Sequence, residues 1–270
     1  MDLPAPSSLL ASLVALSCLL PASLQPWLAN PRRDWRFWGG LALAVAGSLG
    51  WSFAQLTGRW PTALAADLWI TISVSLVLYA LVSAVNRQAW RLAVLMLPYM
   101  LLLAILACLS ASHEGAALNQ GAPAAWIDSH ILVSLATLGL LTLAAAAALA
   151  CFIQARALKS KRPTRLSRLL PSVNDSEKLY ETLLILSQVI LAAGVATGMA
   201  TQFFESGRLL VLDHKTLFSL LAFALIFLLI GGRRWGGVRG QWAVRVALLA
   251  YSFILLGFFG VKFVKQVLLS

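Results

Sequence analysis

The chain has 270 residues, 60% of them apolar and only 11% charged. A water-soluble globular domain carries about 25% charged residues, so a soluble enzyme or a nucleic-acid-binding domain is excluded as a first reading. The 21 Lys and Arg against 10 Asp and Glu leave a net charge of +11, which in so apolar a chain points to basic loops beside anionic lipid headgroups.

A spanning helix needs about 20 mostly apolar residues. Eight such runs follow one another, near residues 7–24, 37–56, 68–85, 92–110, 130–153, 181–203, 216–232 and 242–261. Charge, Pro or Gly separates them, as from Pro26 to Arg36, Gly58 to Asp67, Asn86 to Arg91 and His113 to Asp128. Only Asp2 carries charge ahead of the first run. That run lacks the basic n-region of a signal peptide and is read as an uncleaved span. Cys18, Cys108 and Cys151 each sit inside an apolar run, at neither metal-ligand nor disulfide-framework spacing. The expected fold is an all-α polytopic membrane helical bundle of about eight transmembrane helices, a single domain over residues 1–270.

Basic residues in short loops set orientation. Sixteen of the 21 Lys and Arg fall in the connections after spans 1, 3, 5 and 7; the other five are Arg59, Arg208, Lys215, Lys262 and Lys265. The odd-numbered connections are therefore expected in the cytoplasm and both termini outside. The longest connection, Gln154 to Tyr180, has 27 residues and a basic run from Arg156 to Arg168. It reads as a loop held against anionic lipid, or as a docking site for a soluble partner. Asn174 with Glu177 resembles a capping box opening the next helix.

Within the spans, Gly194 and Gly198 make a GxxxG pair, which lets helices approach closely inside the bundle or at a homodimer seam. The run Ala144 to Ala148 permits similar contact. Gln188 is the clearest deeply placed polar side chain, fit to hydrogen-bond across helices. Buried Asp, Glu, Lys or Arg is not expected, which argues against an ion-coupled carrier. There is no phosphate loop, no His-Glu-x-x-His helix and no internal repeat.

Polar chemistry gathers on the side expected to face outward. His113, Glu114 and Asp128 precede span 5, which His130 opens, and Glu205, Arg208, Asp213, His214 and Lys215 lie between spans 6 and 7. Imidazole ligates haem iron, and a bis-His site needs two rings on opposing elements. His130 and His214 stand at the ends of two different helices. They are either such a pair or interfacial histidines bonded to Asp128 and Asp213.

The segment Ser206-Gly207-Arg208-Leu209-Leu210-Val211-Leu212-Asp213-His214-Lys215-Thr216-Leu217-Phe218 resembles the tryptophan-rich periplasmic segment of the cytochrome c assembly family (CcsA-like), approximately W-G-R-Y-W-S-W-D-P-K-E-T-W. Gly207, Arg208, Asp213 and Lys215 match it, and Phe218 replaces a Trp. Gly237-Val238-Arg239-Gly240 resembles the family's G-W-R-G, and His130 sits where the family has its first periplasmic haem-ligand histidine. The resemblance runs from about Asp128 to the C-terminus; the first four spans match only in hydropathy. Leu209, Leu210 and Leu212 replace tryptophans of the family's haem platform, and no His stands near Gly231 and Gly232, where the family has its second. The chain is thus similar to the family's short YpjD- and HemX-like branch.

The resemblance implies a multi-pass protein of the bacterial inner (cytoplasmic) membrane that handles haem with other cytochrome c assembly components, by positioning rather than by a protein nucleophile. It implies His130 as axial ligand, His214 as second ligand or propionate partner, and Arg208 and Lys215 as propionate partners beside Asp213. Two other readings stay open. One is a HemX-like regulator or scaffold of tetrapyrrole synthesis that binds no haem. The other is a small-molecule permease, disfavoured by the scarce mid-span polarity.

Overall fold

The computed structural model describes residues 6–28, 32–55, 63–110, 123–238, 240–260 and 264. Its elements are helices α1 (Pro6–Leu28), α2 (Trp35–Gln55), α3 (Leu64–Val85), α4 (Ala93–Leu109), α5 (Ala124–Ser160), α6 (Arg165–Leu169), α7 (Val173–Ser206), α8 (His214–Trp235) and α9 (Gln241–Leu255). A 3-10 turn at Ala89–Leu92 leads into α4, and a π-helical turn at Leu256–Gly260 follows α9. Among the described residues eight helical segments are long and apolar enough to cross a membrane, α4 together with its 3-10 turn and α9 together with its π turn; α6 is too short. In hydrocarbon a helix satisfies every backbone polar group within itself, so apolar runs of this length take that form. The chain is an all-α, multi-pass membrane protein.

α1 to α4 pack as one group, and α5, α7, α8 and α9 as another, with α3 against α5 along the seam. The most extensive helix pair is α5 with α7. Both overrun the expected spans. At 1.5 Å per residue, the 37 residues of α5 reach about 55 Å, against about 30 Å of hydrocarbon. Mutual packing holds the overhanging turns where lipid cannot, and α5 stops at Lys161 in the left-handed region, with φ 52°.

Basic side chains bind the connections after α1, α3 and α5 into one end of the bundle. Arg33 donates to the carbonyls of Ser83 and Ala84 at 3.0 and 3.1 Å, Arg91 to Leu170 at 3.4 Å, and Arg165 to Trp27. The expected loop after α5 is instead folded against the protein. Gln154 Nε2 donates to the carbonyls of Ser167, Leu170 and Pro171 at 2.6, 3.2 and 3.0 Å, and Leu170 is buried. Thr164 and Ser167 form a reciprocal capping box that opens α6.

Two expectations are corrected. α7 is capped by Ser172, whose Oγ accepts from the Asp175 amide at 3.1 Å, because Pro171 just ahead has no N–H and marks the break. Glu177 is therefore no capping-box partner. Its carboxylate lies 3.2 Å from Arg233 Nη2, with Glu181 at 3.4 Å. Nor is the interior free of ionisable groups: Arg233 is 9% exposed and Asp67, at the opposite end of the bundle, 7%. Gln188 meets its expectation, donating across helices to the Phe223 carbonyl at 3.2 Å. Ala144, Ala145, Ala147 and Ala148 are buried in helix contacts.

Candidate functional site

At the end of the bundle where α3, α5 and α8 begin and α7 finishes lies a cavity of about 430 Å³. Pockets of that size hold small-molecule ligands. Its depth is apolar, with Ile70, Leu135, Leu191, Leu220, Ile254 and Phe258 on the wall. Its mouth is polar, with Gln202, Glu205, Asp213 and Lys215.

His130, in the second turn of α5, stands on this wall, partly buried. Its Nδ1 lies 3.2 Å from Thr197 Oγ1 on α7. The Thr197 hydroxyl already donates its one proton to the carbonyls of Ala193 and Gly194, at 2.9 and 3.1 Å. With the Thr197 hydroxyl turned to those carbonyls, the contact takes Nδ1–H of His130 as donor, the tautomer in which Nε2 would keep its lone pair. A partner on one imidazole nitrogen that fixes the other as a ligand is the usual support for histidine at a metal.

The GxxxG pair serves this arrangement. A Cβ on Gly194 would touch Val133 Cγ1 at 3.5 Å, and one on Gly198 would stand 3.0 Å from His130 Cε1. The pair thus lies in the α5–α7 interface within the chain, and Gly198 clears the space the imidazole fills.

α7 ends at Gly207, whose φ of 68° suits glycine and whose amide donates to the Phe203 carbonyl. The following segment is tied back by Gln202, which accepts from the Val211 amide at 3.0 Å and donates to Thr216 Oγ1 at 3.2 Å. Asp213 then caps α8, its Oδ1 accepting from the Thr216 amide at 2.8 Å. Partial burial pushes the Asp213 carboxyl up, but the bonds from Thr216 and the nearby His214 and Lys215 outweigh it and hold the group below the usual carboxylate range.

Of the residues singled out in the sequence, the fold brings together at the cavity the ionisable side chains His130, Glu205, Asp213 and Lys215, with Gly194, Gly198 and Leu210 also on its wall. Arg208 and His214 are exposed and are not on its wall. His113 lies outside the described residues, as do Arg59, Arg239, Lys262 and Lys265. Sequence reading missed Asp67, Thr197, Met199 and Gln202. Asp67 sits between the break that Gly58 and Pro61 mark and an apolar run, and reads there as loop. Gln202 stands four residues beyond Gly198, the helical spacing that could have found it, whereas Thr197 and Met199 flank Gly198 and carry no such signal. Among the described residues no group of three or more His, Cys, Asp or Glu is placed to hold a metal ion by itself.

The family model described as "Cytochrome C assembly protein" matches residues 60–269. The match begins ahead of α3, well before the segment that carries the motifs, and takes in every residue on the cavity wall. The chain is similar, at 48% identity over 264 residues, to an uncharacterized 28.8 kDa protein of Azospirillum brasilense encoded in a nifR3-like 5′ region. That alignment covers 96% of this chain and 97% of the relative. No solved structure matches the chain.

Proposed function

The chain belongs to the cytochrome c assembly protein family, with a role in cytochrome c biogenesis, and on that premise we propose that it receives and presents haem in the cavity beside His130. The whole chain acts as one membrane domain of the bacterial inner membrane. Both termini and the cavity face outward, and the basic connections face the cytoplasm. The observation that carries this reading is His130, held 3.2 Å from Thr197 on the wall of a cavity with an apolar depth.

The donor set fits haem at one axial position and along the apolar porphyrin faces. His130 would be the axial ligand. Lys215 would pair a propionate, since ammonium and carboxylate form charge-assisted bonds. Arg208 and His214 stand outside the cavity and would meet haem only at its rim. Haem is cargo here; the chain's own work is to hold it and to keep water from the apolar depth. Other assembly components would take it from the exposed apolar segment Leu209–Leu212.

A scaffold that binds no haem is the second reading, favoured by the three carboxylates of Asp67, Glu205 and Asp213 that share the wall with Lys215. An absorption spectrum of the detergent-purified protein from haem-replete cells separates the two. A Soret band lost in His130→Ala is expected; a colourless parent supports the scaffold.

A further inference from the structure

We infer that the cavity supplies a second axial donor for haem, the thioether of Met199, and that His214 is not a ligand. The inference rests on the haem-holding reading above. The cavity face of α7 repeats at helical spacing through Leu191, Val195, Gly198, Met199, Gln202 and Glu205. Gly198 abuts the imidazole of His130, and Met199 is the next residue, about 1.5 Å further along the axis. Met199 and His130 thus both line the cavity, one from α7 and the other from α5.

Met199 differs from the other described methionines. Met96 and Met100 are 1% and 0% exposed in the packing of α4. Met199 is only half-buried, in the small and polar stretch Thr197-Gly198-Met199-Ala200-Thr201. A thioether adds no charge beside Asp67, Glu205 and Asp213. Paired with imidazole it makes a six-coordinate haem site of raised reduction potential. His214 opens α8 in solvent and does not reach the cavity wall.

The test loads the purified full-length protein and its variants with one equivalent of haem. Optical and paramagnetic-resonance spectra and reduction potential are then recorded. The parent is expected to be low-spin, with a sulfur-to-iron charge-transfer band at the red end of the ferric spectrum. Met199→Leu, close in volume, should keep its haem, lose that band, turn high-spin and take up added imidazole. Met199→His should restore a low-spin spectrum at a lower potential, and His214→Ala should match the parent. Parental spectra from both Met199 variants, or a high-spin His214→Ala, would overturn the assignment and leave the haem-holding reading standing. A parent that takes up no haem overturns both.

Discussion

The Cε1 atom of His130 lies 3.0 Å from the point where a Cβ on residue 198 would stand, so the imidazole occupies space that glycine leaves open. Gly198→Ala must displace the ring by a few tenths of an ångström and so disturb its contact with Thr197. Loss of the partner that orients a metal-binding histidine costs about 10- to 100-fold in affinity. Gly198→Ala and Thr197→Val are both expected to weaken haem binding by about tenfold, with His130→Ala abolishing it. Titration of the purified variants with haem checks this; unchanged affinity in Gly198→Ala would show that the ring is not held for ligation.

The cavity wall carries three carboxylates and, among the described residues, one ammonium. A dianionic ligand should feel both signs. Two charges about 8 Å apart at an effective dielectric of about 40 interact by about 1 kcal/mol, a factor of about five in affinity. Lys215→Gln is expected to weaken haem binding by about that factor, and Glu205→Gln to strengthen it. Equal shifts of the same sign in both variants would mean that the propionates lie elsewhere.

Asp213 caps α8 while its carboxyl is held below the usual range. A group whose folded value is depressed stabilises the fold above its unfolded value, about 3.9 for Asp. That contribution disappears as pH falls through the lower folded value. Replacing a capping Asp by Ala costs about 1 kcal/mol. The stability difference between the protein and Asp213→Ala should be level from pH 8 to 5 and shrink below about pH 4, as read by amide exchange at Thr216. A difference that grows on acidification would contradict the capping role.

Arg233 has a side chain only 6% exposed, against 33% for Glu177 and 51% for Glu181. Its guanidinium lies 5.2 Å from the centre of the Tyr180 ring. Removing both acids strands a buried cation, whereas replacing the arginine by an apolar side chain of similar length strands only two groups that water can reach. The double variant Glu177→Gln/Glu181→Gln should therefore lose more stability than Arg233→Met. The difference should be about 2 kcal/mol after allowing for solvent at Glu181, measured by thermal unfolding in detergent. The reverse order would show that the arginine is held by packing rather than charge.

Sixteen of 21 basic residues lie in or beside the odd-numbered connections read from the sequence, and the connections of Arg33, Arg91 and Arg165 are knit together at one end. A reporter active only in the cytoplasm, fused after Ser270, should stay silent. A strong signal would invert the protein and turn the His130 cavity toward the cytoplasm.

The spans were legible because hydropathy acts over 20 residues at a time and tolerates error at any one. Their ends were not: α5 and α7 overrun because each is the other's partner, and partnership is not written in either run alone. His130, Asp213 and Lys215 could be read from local pattern. His214 shares that pattern, yet it begins a helix on the solvent side, and only the capping geometry of Asp213 decides which way the first turn faces. Asp67 and Met199 reach the cavity through helices distant in sequence, so no spacing could assign them. Gln154 was invisible for a similar reason, as its three acceptors belong to a turn the sequence presents as loop.

The hairpin that Gln154 pins has a further consequence. The backbone of the segment from Thr164 to Pro171 finds acceptors and donors within the protein, while Arg156, Lys159, Lys161, Arg162, Arg165, Arg168 and Lys178 are all exposed. A flexible basic tail meeting a charged surface surrenders about 1 to 2 kcal/mol of backbone entropy for each residue it orders. This segment has already surrendered it in folding. Against an anionic leaflet its cations would act as a preset array, so contact with lipid should need little further ordering, and the grip should depend on salt far more than on temperature.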